Sequence, residues 1–260
     1  MVKRSIVSVD LSTVALPGDI VAIVGAGGKT TTMFALSRSI AASRRRVITT
    51  KSTVIYQPTM ARSPYVVTVP PDQWSSKLRG LLDQSPELTV VIGTTAPDRW
   101  AATPACRIRE LRDASGADNV IVEADGARGR LLKAPAAHEP SMPPDAAVVM
   151  PVVSLQAIGR PLSSTYMHRP EMVGALLNLP IGDIIRLDHL SQVLLADAGG
   201  LKLAPKPSRI WPVLTHIDHV DHTDAINLIN DLAAHPRVTG VVTADRTWQF
   251  AAFVRATSAP

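Results

Sequence analysis

Residues 20–34 read IVAIVGAGGKTTTMF, an apolar run that breaks at a glycine-rich turn and continues past a Lys-Thr pair. The run over residues 20–24 predicts a buried strand, and the apolar residues beyond Lys29 recur at helical spacing. A strand, a glycine-rich turn and a helix in this order are typical of a phosphate-binding loop, because backbone N–H groups and the positive end of the helix both attract an anion. The stretch therefore predicts a P-loop.

The turn is shorter than the usual G-x-x-x-x-G-K-T pattern. Ile23 stands where the first glycine of that pattern falls, and the motif reads G-x-x-G-K-T from Gly25. This form resembles the loop of the Mur ligases; the alternative is a glycine-rich helix start with an incidental lysine. We expect Lys29 to neutralise outer phosphates, Thr30 to ligate Mg²⁺ and Thr31 to bond an inner phosphate. The predicted phosphate-binding residues are Gly25, Ala26, Gly27, Gly28, Lys29, Thr30 and Thr31.

Short apolar runs alternate with helical patterns along the rest of the chain. Several runs are continuous in Val and Ile, as in strands that are buried on both faces of a parallel sheet. The order predicts an α/β protein with a three-layer P-loop NTPase-like fold, a mainly parallel sheet flanked by helices. The predicted strands are residues 20–24, 47–50, 65–69, 88–92, 120–123, 146–153, 210–215 and 238–243, and the predicted helices are residues 30–42, 72–82, 107–114, 170–177, 189–196 and 225–234.

The domain organisation follows from the same pattern. We expect a single nucleotide-binding domain over residues 1–260. The segment at about 163–207 offers helices without a convincing strand, and we interpret it as a small helical insertion within that domain.

The composition argues against nucleic acid and membrane partners. The chain has 260 residues, 46% of them hydrophobic, and a net charge of +5. The basic triplet at residues 44–46 follows a predicted helix and is interpreted as its solvated end. No window approaches the roughly 18 apolar residues of a membrane helix. Cys106 is the only cysteine, which excludes an internal disulfide, so we expect a cytoplasmic protein.

Polar residues end two of the predicted strands. Lys51 lies within a run of Thr and Ser after one strand, and Glu123 and Asp125 follow another. The carboxyl ends of parallel strands form the ligand crevice of an open α/β sheet. One carboxylate would hold Mg²⁺ or its water and the other would orient a nucleophile, with the two roles left unassigned. The alternative is an Asp-Gly turn, and the predicted metal ligands are Thr30, Glu123 and Asp125.

Three cations follow these carboxylates within one loop, at Arg128, Arg130 and Lys133. Arginine presents a planar fork of donors that suits phosphate and carboxylate groups. The loop is therefore either an anion clamp or a solvated surface.

Five motifs resemble the YqeC family of selenium-dependent molybdenum hydroxylase accessory proteins. They are VGAGGKTTTMFALSR at residues 24–38, VEADGARGRLLKAPAAHEP at 122–140, MHRPE at 167–171, GGLK at 199–202 and VLTHID at 213–218. The resemblance spans nearly the whole chain. It implies a P-loop nucleotide-binding protein that helps to mature a molybdenum- or selenium-containing hydroxylase, with that client or its cofactor as a partner.

The resemblance also implies site residues. His138 is a candidate proton carrier and Arg169 a candidate phosphate clamp, which join Lys29, Glu123 and Asp125 as candidate catalytic residues. The full set that the family pattern marks is Gly25, Gly28, Lys29, Thr30, Glu123, Asp125, Gly126, Lys133, His138, Glu139, His168 and Arg169.

The choice of nucleobase depends on the segment that ends at Asp218. This segment lies where P-loop GTPases place Asn-Lys-x-Asp, but Thr215 and His216 replace the usual partners. Asp218 is a candidate to accept from a guanine edge, and the departure favours ATP over GTP. His216, His219 and His222 form H-x-x-H-x-x-H, which we interpret as a polar loop because the spacing drifts around a helix surface.

Three functions fit the sequence. The leading one is a Mg²⁺-dependent protein that binds ATP or GTP and hydrolyses it in the service of cofactor maturation. The second is an ATP-dependent ligase or kinase that acts on a small anionic substrate, held among Arg128, Arg130, Lys133 and Arg169. The third is a non-enzymatic nucleotide switch that binds a client through residues 163–207. The sequence does not determine the oligomeric state.

Overall fold

The computed structural model describes residues 6–53, 55–56, 65–96 and 99–255. Its strands, in chain order, are β1 (Ile6–Val9), β2 (Ile20–Gly25), β3 (Val47–Lys51), β4 (Ile55–Tyr56), β5 (Val66–Thr68), β6 (Glu87–Val91), β7 (Thr94–Ala96), β8 (Arg99–Trp100), β9 (Asn119–Glu123), β10 (Leu132–Lys133), β11 (Ala146–Ser154), β12 (Met167–His168), β13 (Arg209–Ile210), β14 (Val213–Thr215), β15 (Gly240–Ala244) and β16 (Phe250–Arg255).

One sheet forms the centre of the fold. In the described residues it has 11 strands, in the order β1-β16-β15-β14-β11-β2-β9-β3-β6-β5, with β13 paired to β11. Every pair from β15 to β5 is parallel. Strands β16 and β1 are antiparallel additions at one edge. Small pairings outside it join β4, β7 and β8, and β10 with β12.

Helices cover both faces of this sheet. The helices are α1 (Lys29–Ala42), α2 (Arg79–Gln84), α3 (Ile108–Ser115), α4 (Pro170–Leu177), α5 (Leu187–Leu195) and α6 (His222–Ala234). Helix α1 packs Met33 and Leu36 on the face that holds Val21 and Ile23. Helices α2–α6 contribute to clusters on the opposite face. This arrangement confirms the three-layer α/β fold predicted from the sequence. No helix of the described residues is both long and apolar enough to cross a bilayer.

Most predicted elements match, with local corrections. The predicted strand 210–215 is two strands, β13 and β14, because Pro212 between them has no N–H for the ladder. The predicted helix 72–82 begins as a 3-10 turn at Pro71–Gln73 and a π-helical turn at Trp74–Leu78 before α2. Strands β1 and β16 were not predicted. They pair with each other at the sheet edge, and their burial is weaker than that of the central strands.

The segment predicted as a helical insertion contains α4 and α5 and also a strand. Strand β12 pairs in parallel with β10, so that Leu132 lies opposite Met167 and Lys133 opposite His168. Two residues are too few to show a strand periodicity in the sequence. The single-domain organisation stays a prediction.

The basic triplet is not merely a solvated helix end. Arg44 is exposed. Arg45 instead donates to the carbonyls of Ala15 at 2.6 Å and Ser12 at 2.8 Å. It therefore ties the end of α1 to the 3-10 helix Leu11–Val14, which corrects the interpretation of the triplet as wholly solvated.

Candidate functional site

The candidate site lies at the sheet edge where β2, β9 and β3 end. The registers pair Ile23 with Glu123 and Glu123 with Lys51, so the last residues of β9 and β3 lie side by side. Gly25 ends β2 and opens the turn into α1. This edge forms the ligand crevice of parallel α/β sheets.

The glycine-rich turn is held tightly by its neighbours. The Gly25 N–H donates to Asp125 Oδ2 at 3.0 Å, and the Ala26 N–H donates to a carbonyl of β11 at 2.9 Å. Gly27 has a φ of +78°, and a Cβ there would lie 2.6 Å from Ser154 Cβ. Only glycine combines that backbone angle with so close a contact, so residue type fixes the path of the loop.

Lys29 begins α1 and its side chain is buried. Its Nζ donates to the Gly25 carbonyl at 2.7 Å and lies 3.2 Å from Asp125 Oδ1 and 3.9 Å from Glu123 Oε1. Strand β9 ends at Glu123, and Asp125 reaches the ammonium from the irregular segment that follows. Both carboxylates predicted from the sequence therefore meet the loop lysine.

Thr30, Glu123 and Lys51 form the outer part of the site. The Thr30 hydroxyl donates to Glu123 Oε2 at 2.6 Å, and Lys51 Nζ lies 2.8 Å from the same oxygen. Burial alone would raise the pKa of Glu123, but the charges of Lys51 and Lys29 outweigh it and lower that pKa. The carboxylate is therefore ionised at neutral pH.

These oxygens suit a magnesium ion shared with a phosphate ligand. Mg²⁺ prefers hard oxygen donors, keeps several waters, and is commonly held by one or two protein groups together with substrate phosphates. The hydroxyl of Thr30 and the carboxylate of Glu123 supply such a pair. Among the described residues no group of three or more His, Cys, Asp and Glu side chains is placed to hold a metal ion alone.

A second chain of ion pairs runs from Asp125 to the far side of the site. Lys133 Nζ lies 2.9 Å from Asp125 Oδ2 and 2.8 Å from Glu139 Oε2. Arg169 binds Glu139 through two N–H groups, at 2.6 and 3.1 Å. Burial would raise the pKa of Glu139, but hydrogen bonds from Arg169 and Lys133 hold it at about 2. The bidentate pair fixes the planes of both groups.

The pairing of β10 with β12 brings His168 and Arg169 to the site. Burial, followed by the charges of Arg169 and Lys133, lowers the pKa of His168 to about 4. His168 is therefore a neutral imidazole at physiological pH. Arg169 has a φ of +60°, a left-handed conformation that directs the chain into α4.

A cavity of about 680 Å³ opens above the loop. Its lining carries five lysine and arginine side chains and two glutamates, an excess of three positive charges. A concave, cationic site of this size suits a polyanionic small molecule. The lining residues are Gly27, Gly28, Lys29, Thr30, Thr31, Lys51, Thr53, Glu123, Gly126, Ala127, Arg128, Gly129, Arg130, Leu131, Glu139, His168, Arg169, His216 and Trp248.

Residues 21–171, more than half of the chain, match the YqeC protein family. The chain belongs to the YqeC family. A relative from Escherichia coli (strain K12), named "Uncharacterized protein YqeC", is 27% identical over 227 residues, which cover 81% of this chain and 81% of that protein. The family expected from the motifs is thus confirmed, and the matched range includes both the loop and the chain of ion pairs.

Two solved structures are similar at lower levels. Chloroplast FtsY from Physcomitrella patens gives a TM-score of 0.44 at 14% identity, covering 91% of this chain and 61% of FtsY. FtsY from Mycoplasma mycoides gives 0.42 at 12% identity, covering 92% of this chain and 64% of FtsY. The YqeC-family chain spans about three fifths of the length of these FtsY chains. Similarity this low has no bearing on activity.

The YqeC-family structure brings together only part of the predicted site. Gly27, Gly28, Lys29, Thr30, Thr31, Glu123 and Arg169 line the cavity. Gly25, Ala26 and Asp125 are absent from the lining. Asp125 instead receives the Gly25 N–H and contacts two lysines. Lys133, a predicted anion contact, is also absent from the lining, and its ammonium pairs with Asp125 and Glu139.

Two predicted residues face elsewhere. His138 is exposed in a turn and does not line the cavity. Asp218 accepts from the Arg246 N–H at 3.0 Å and lies 3.2 Å from Arg246 Nε. The carboxylate that would read guanine is therefore bound to a neighbouring turn of this YqeC-family protein.

Trp248 lines the cavity, although the sequence did not predict it as a site residue. It follows the last parallel strand, β15, and lies above the loop beside His216. The only signal was a tryptophan in the short polar stretch 245–249, which by itself indicates a turn. His216, interpreted as part of a polar loop, also lines the cavity, whereas His219 ends the 3-10 helix Ile217–His219 and His222 begins α6.

Proposed function

We propose that this protein binds ATP or GTP together with Mg²⁺, hydrolyses it, and thereby serves the maturation of a molybdenum- and selenium-dependent hydroxylase. The observation that carries the proposal is the meeting of Lys29, Thr30 and Glu123 at the start of α1, in a cavity with an excess of positive charge. If the turn were only a glycine-rich helix start with an incidental lysine, we would not expect the first threonine of the helix to be hydrogen-bonded to a carboxylate.

Phosphate binding rests on the helix start and the cations. The N–H groups of the first helical residues, Lys29, Thr30 and Thr31, have no acceptor within the helix and point out of its N-terminus. The helix dipole adds positive potential there. Lys29 and Lys51 bring ammonium groups to the same edge, so the loop offers both directed donors and charge.

Thr30 and Glu123 would hold Mg²⁺, with Thr30 as a direct ligand and Glu123 on the metal or its water. When bound, the ion would neutralise charge on the outer phosphates. We assign Asp125 a different role from the one predicted. It keeps the loop closed by accepting the Gly25 N–H and pairing with Lys29 and Lys133.

Hydrolysis would proceed by attack of water on the γ-phosphorus. The bond from that phosphorus to the bridging oxygen breaks, and the nucleoside diphosphate leaves. The oxygen of the water and both of its protons end on the released inorganic phosphate. Catalysis of this kind is mostly positioning and charge stabilisation. Lys51 is placed to stabilise the charge that develops, because its ammonium lies within 2.8 Å of Glu123 and 3.5 Å of Thr30.

A second candidate is phosphoryl transfer or ligation with a small anionic substrate, favoured by Arg128 and Arg130. Both line the cavity, and within the described part of the chain neither guanidinium group takes part in a hydrogen bond or ion pair. Unpaired arginines in a ligand cavity suit a carboxylate or phosphate. Such an enzyme would release phosphate or diphosphate only when its acceptor is present.

The maturation role is supported by the resemblance to the YqeC family and rests on no geometry of the site. It predicts that the nucleotide-bound protein associates with a molybdenum hydroxylase. A nucleotide switch would show this association without turnover, whereas an NTPase would show both.

The test is a panel of nucleotides scored by thermal shift with Mg²⁺ or EDTA, followed by product analysis. A ligand at about 100 times its Kd adds ~2.7 kcal/mol to the stability, which a thermal shift detects. We expect stabilisation by ATP or GTP with Mg²⁺, and release of phosphate. Lys29→Met should remove the shift, and Lys77→Met, at an exposed lysine far along the chain, should keep it. If no nucleotide stabilises the wild-type protein, the proposal is wrong.

A further inference from the structure

Trp248 lies directly over the phosphate loop. A Cβ built on Gly28 would lie 3.1 Å from two atoms of the indole ring, so the ring edge touches the residue that precedes Lys29. Trp248 is only half-buried and lines the cavity. The aromatic surface therefore continues directly from the place where phosphates would be held.

The conformation of Trp248 is imposed by its turn. Its φ is +61°, which a bulky residue rarely adopts. Asp245 Oδ1 accepts from the Thr247 N–H at 2.8 Å, the Thr247 hydroxyl at 2.7 Å and the Gln249 N–H at 2.9 Å. The Trp248 N–H donates to the Asp245 carbonyl at 3.0 Å. Strain that a turn over-determines in this way is typical of functional positions.

Two more rings steady the indole. His216 meets it edge-on, with ring centroids 5.0 Å apart and planes at 71°. Phe250 lies behind it with centroids 6.3 Å apart and planes at 25°. His216 also has a positive φ, +55°, so two adjacent aromatic residues of the cavity are held in left-handed conformations. A rigid ring with neighbours behind and beside it is suited to stacking.

The same turn binds Asp218, the carboxylate that would otherwise hydrogen-bond to the edge of a guanine base. Arg246, two residues before Trp248, binds Asp218 through its backbone N–H and its side chain. A hydrogen-bonded reading of guanine by Asp218 would require this pair to open. Stacking has no such requirement, because every nucleobase has a π-face.

We propose that Trp248, supported by His216 and Phe250, is a stacking platform for the nucleobase, and that this protein accepts adenine and guanine nucleotides without strong discrimination. This inference rests on the proposed function, because it presumes that the nucleotide phosphates lie in the loop. It assigns a binding subsite for the purine base to the end of β15. Stacking on the indole ring would supply affinity there but would distinguish little between adenine and guanine.

The test compares ATP and GTP with inorganic tripolyphosphate, which has phosphates but no base. Kd values are measured by calorimetry for the wild type, Trp248→Ala, Trp248→Phe and Lys29→Met. We expect Trp248→Ala to weaken ATP and GTP by roughly tenfold or more and to leave tripolyphosphate unchanged. Trp248→Phe should retain most of the affinity because it keeps an aromatic face. Lys29→Met should weaken all three ligands.

Tryptophan fluorescence gives a second readout on folded protein. ATP should quench the emission of the wild type and of Trp100→Phe, a change at a tryptophan outside the cavity lining, but not that of Trp248→Phe. Quenching that persists in Trp248→Phe would place the base elsewhere.

The remaining outcomes separate this inference from the proposed function. If tripolyphosphate binds and Trp248→Ala binds ATP like the wild type, the platform is wrong while the phosphate loop stands. Equal losses for ATP and tripolyphosphate would make Trp248 a structural cover of the loop and overturn the platform. A purine preference of roughly 10⁴-fold would demand hydrogen-bonded reading and overturn it too. If neither ATP nor tripolyphosphate binds the wild type, both proposals fail.

Discussion

Asp125 Oδ1 lies 3.2 Å from Lys29 Nζ, while its other oxygen, Oδ2, lies 2.9 Å from Lys133 Nζ and accepts the Gly25 N–H. One carboxylate thus joins the first glycine of the loop to the loop lysine and to the ion pairs beyond. Its side chain is 2% exposed, so water contributes little to balancing these charges. The loop depends on this residue for its shape and for its electrostatic balance.

Asp125→Asn should destabilise the protein strongly. The amide is isosteric and can still accept the Gly25 N–H, but it leaves two buried lysines short of a negative charge. Breaking a buried ion pair in this way costs about 3–5 kcal/mol. The measurement is the free energy of unfolding in denaturant. Asp113→Asn is the control, because Asp113 pairs with Arg112 while 58% exposed, and a surface pair contributes about 1 kcal/mol or less. Equal losses would contradict the role of Asp125.

Gly27→Ala should abolish phosphate binding and cost more stability than Gly129→Ala. The two glycines have similar φ values, +78° and +70°, so both changes carry the cost of a left-handed alanine, about 1–2 kcal/mol. At Gly27 the new methyl would also lie 2.7 Å from Ser154 N and 2.8 Å from the Leu131 carbonyl. At Gly129 no neighbouring atom lies within 4 Å.

The difference between these two variants isolates the packing of the loop. We expect it to be on the order of 1–3 kcal/mol, as for other overpacked sites. Chemical denaturation of both variants measures this difference in the free energy of unfolding. Equal stabilities would show that the close contact between Gly27 and Ser154 of β11 leaves no cost for a methyl group.

Lys51→Met should lower turnover more than binding. Lys51 contacts Glu123 and Thr30, the residues beside which the phosphate oxygens would gain negative charge during hydrolysis. Removing one such donor typically lowers kcat by about 10²–10³-fold. Single-turnover phosphate release and nucleotide Kd are the two measurements, with Lys77→Met as the control at an exposed lysine. A variant with wild-type kcat would remove Lys51 from the mechanism.

His168→Gln should reduce the loss of folding stability that accompanies a fall in pH from 6.5 to 4. The pKa of His168 is about 4 in the folded protein, below the ordinary value of 6.5. Between these values the unfolded chain binds a proton that the folded protein does not, so stability falls as pH falls from 6.5 to 4. The free energy linked to this lowered pKa is on the order of 1–3 kcal/mol, because water reaches part of the ring and screens the neighbouring charges.

Denaturation of wild type and His168→Gln at several pH values tests this. Other groups titrate in both proteins, so the difference between the two curves reports His168. The wild type should lose more stability than the variant across that window. Parallel curves would mean that the folded protein protonates His168 normally.

The stretch 20–34 was predicted almost completely. Its strand, turn and helix appear as Ile20–Gly25 and Lys29–Ala42, because local periodicity and glycine placement encode them directly. The carboxylates at and just after the end of β9 were also predicted, since a polar residue at the end of a buried parallel strand must lie at the ligand edge. The antiparallel strands β1 and β16 were not, because edge strands carry a weaker apolar signal.

The sequence alone predicts a parallel α/β fold, a glycine-rich loop of the phosphate-binding type, membership of the YqeC family, and cations and carboxylates at one edge of the sheet. Which of these charged groups contact one another depends on the tertiary structure. Gly25 and Asp125 are 100 residues apart, and Asp125 binds the Gly25 N–H while Glu123 lines the cavity. Trp248 reaches the loop because the hydrogen bonds of Asp245 hold it at a positive φ. Side-chain direction beyond a strand end depends on such long-range contacts, and no local pattern records it.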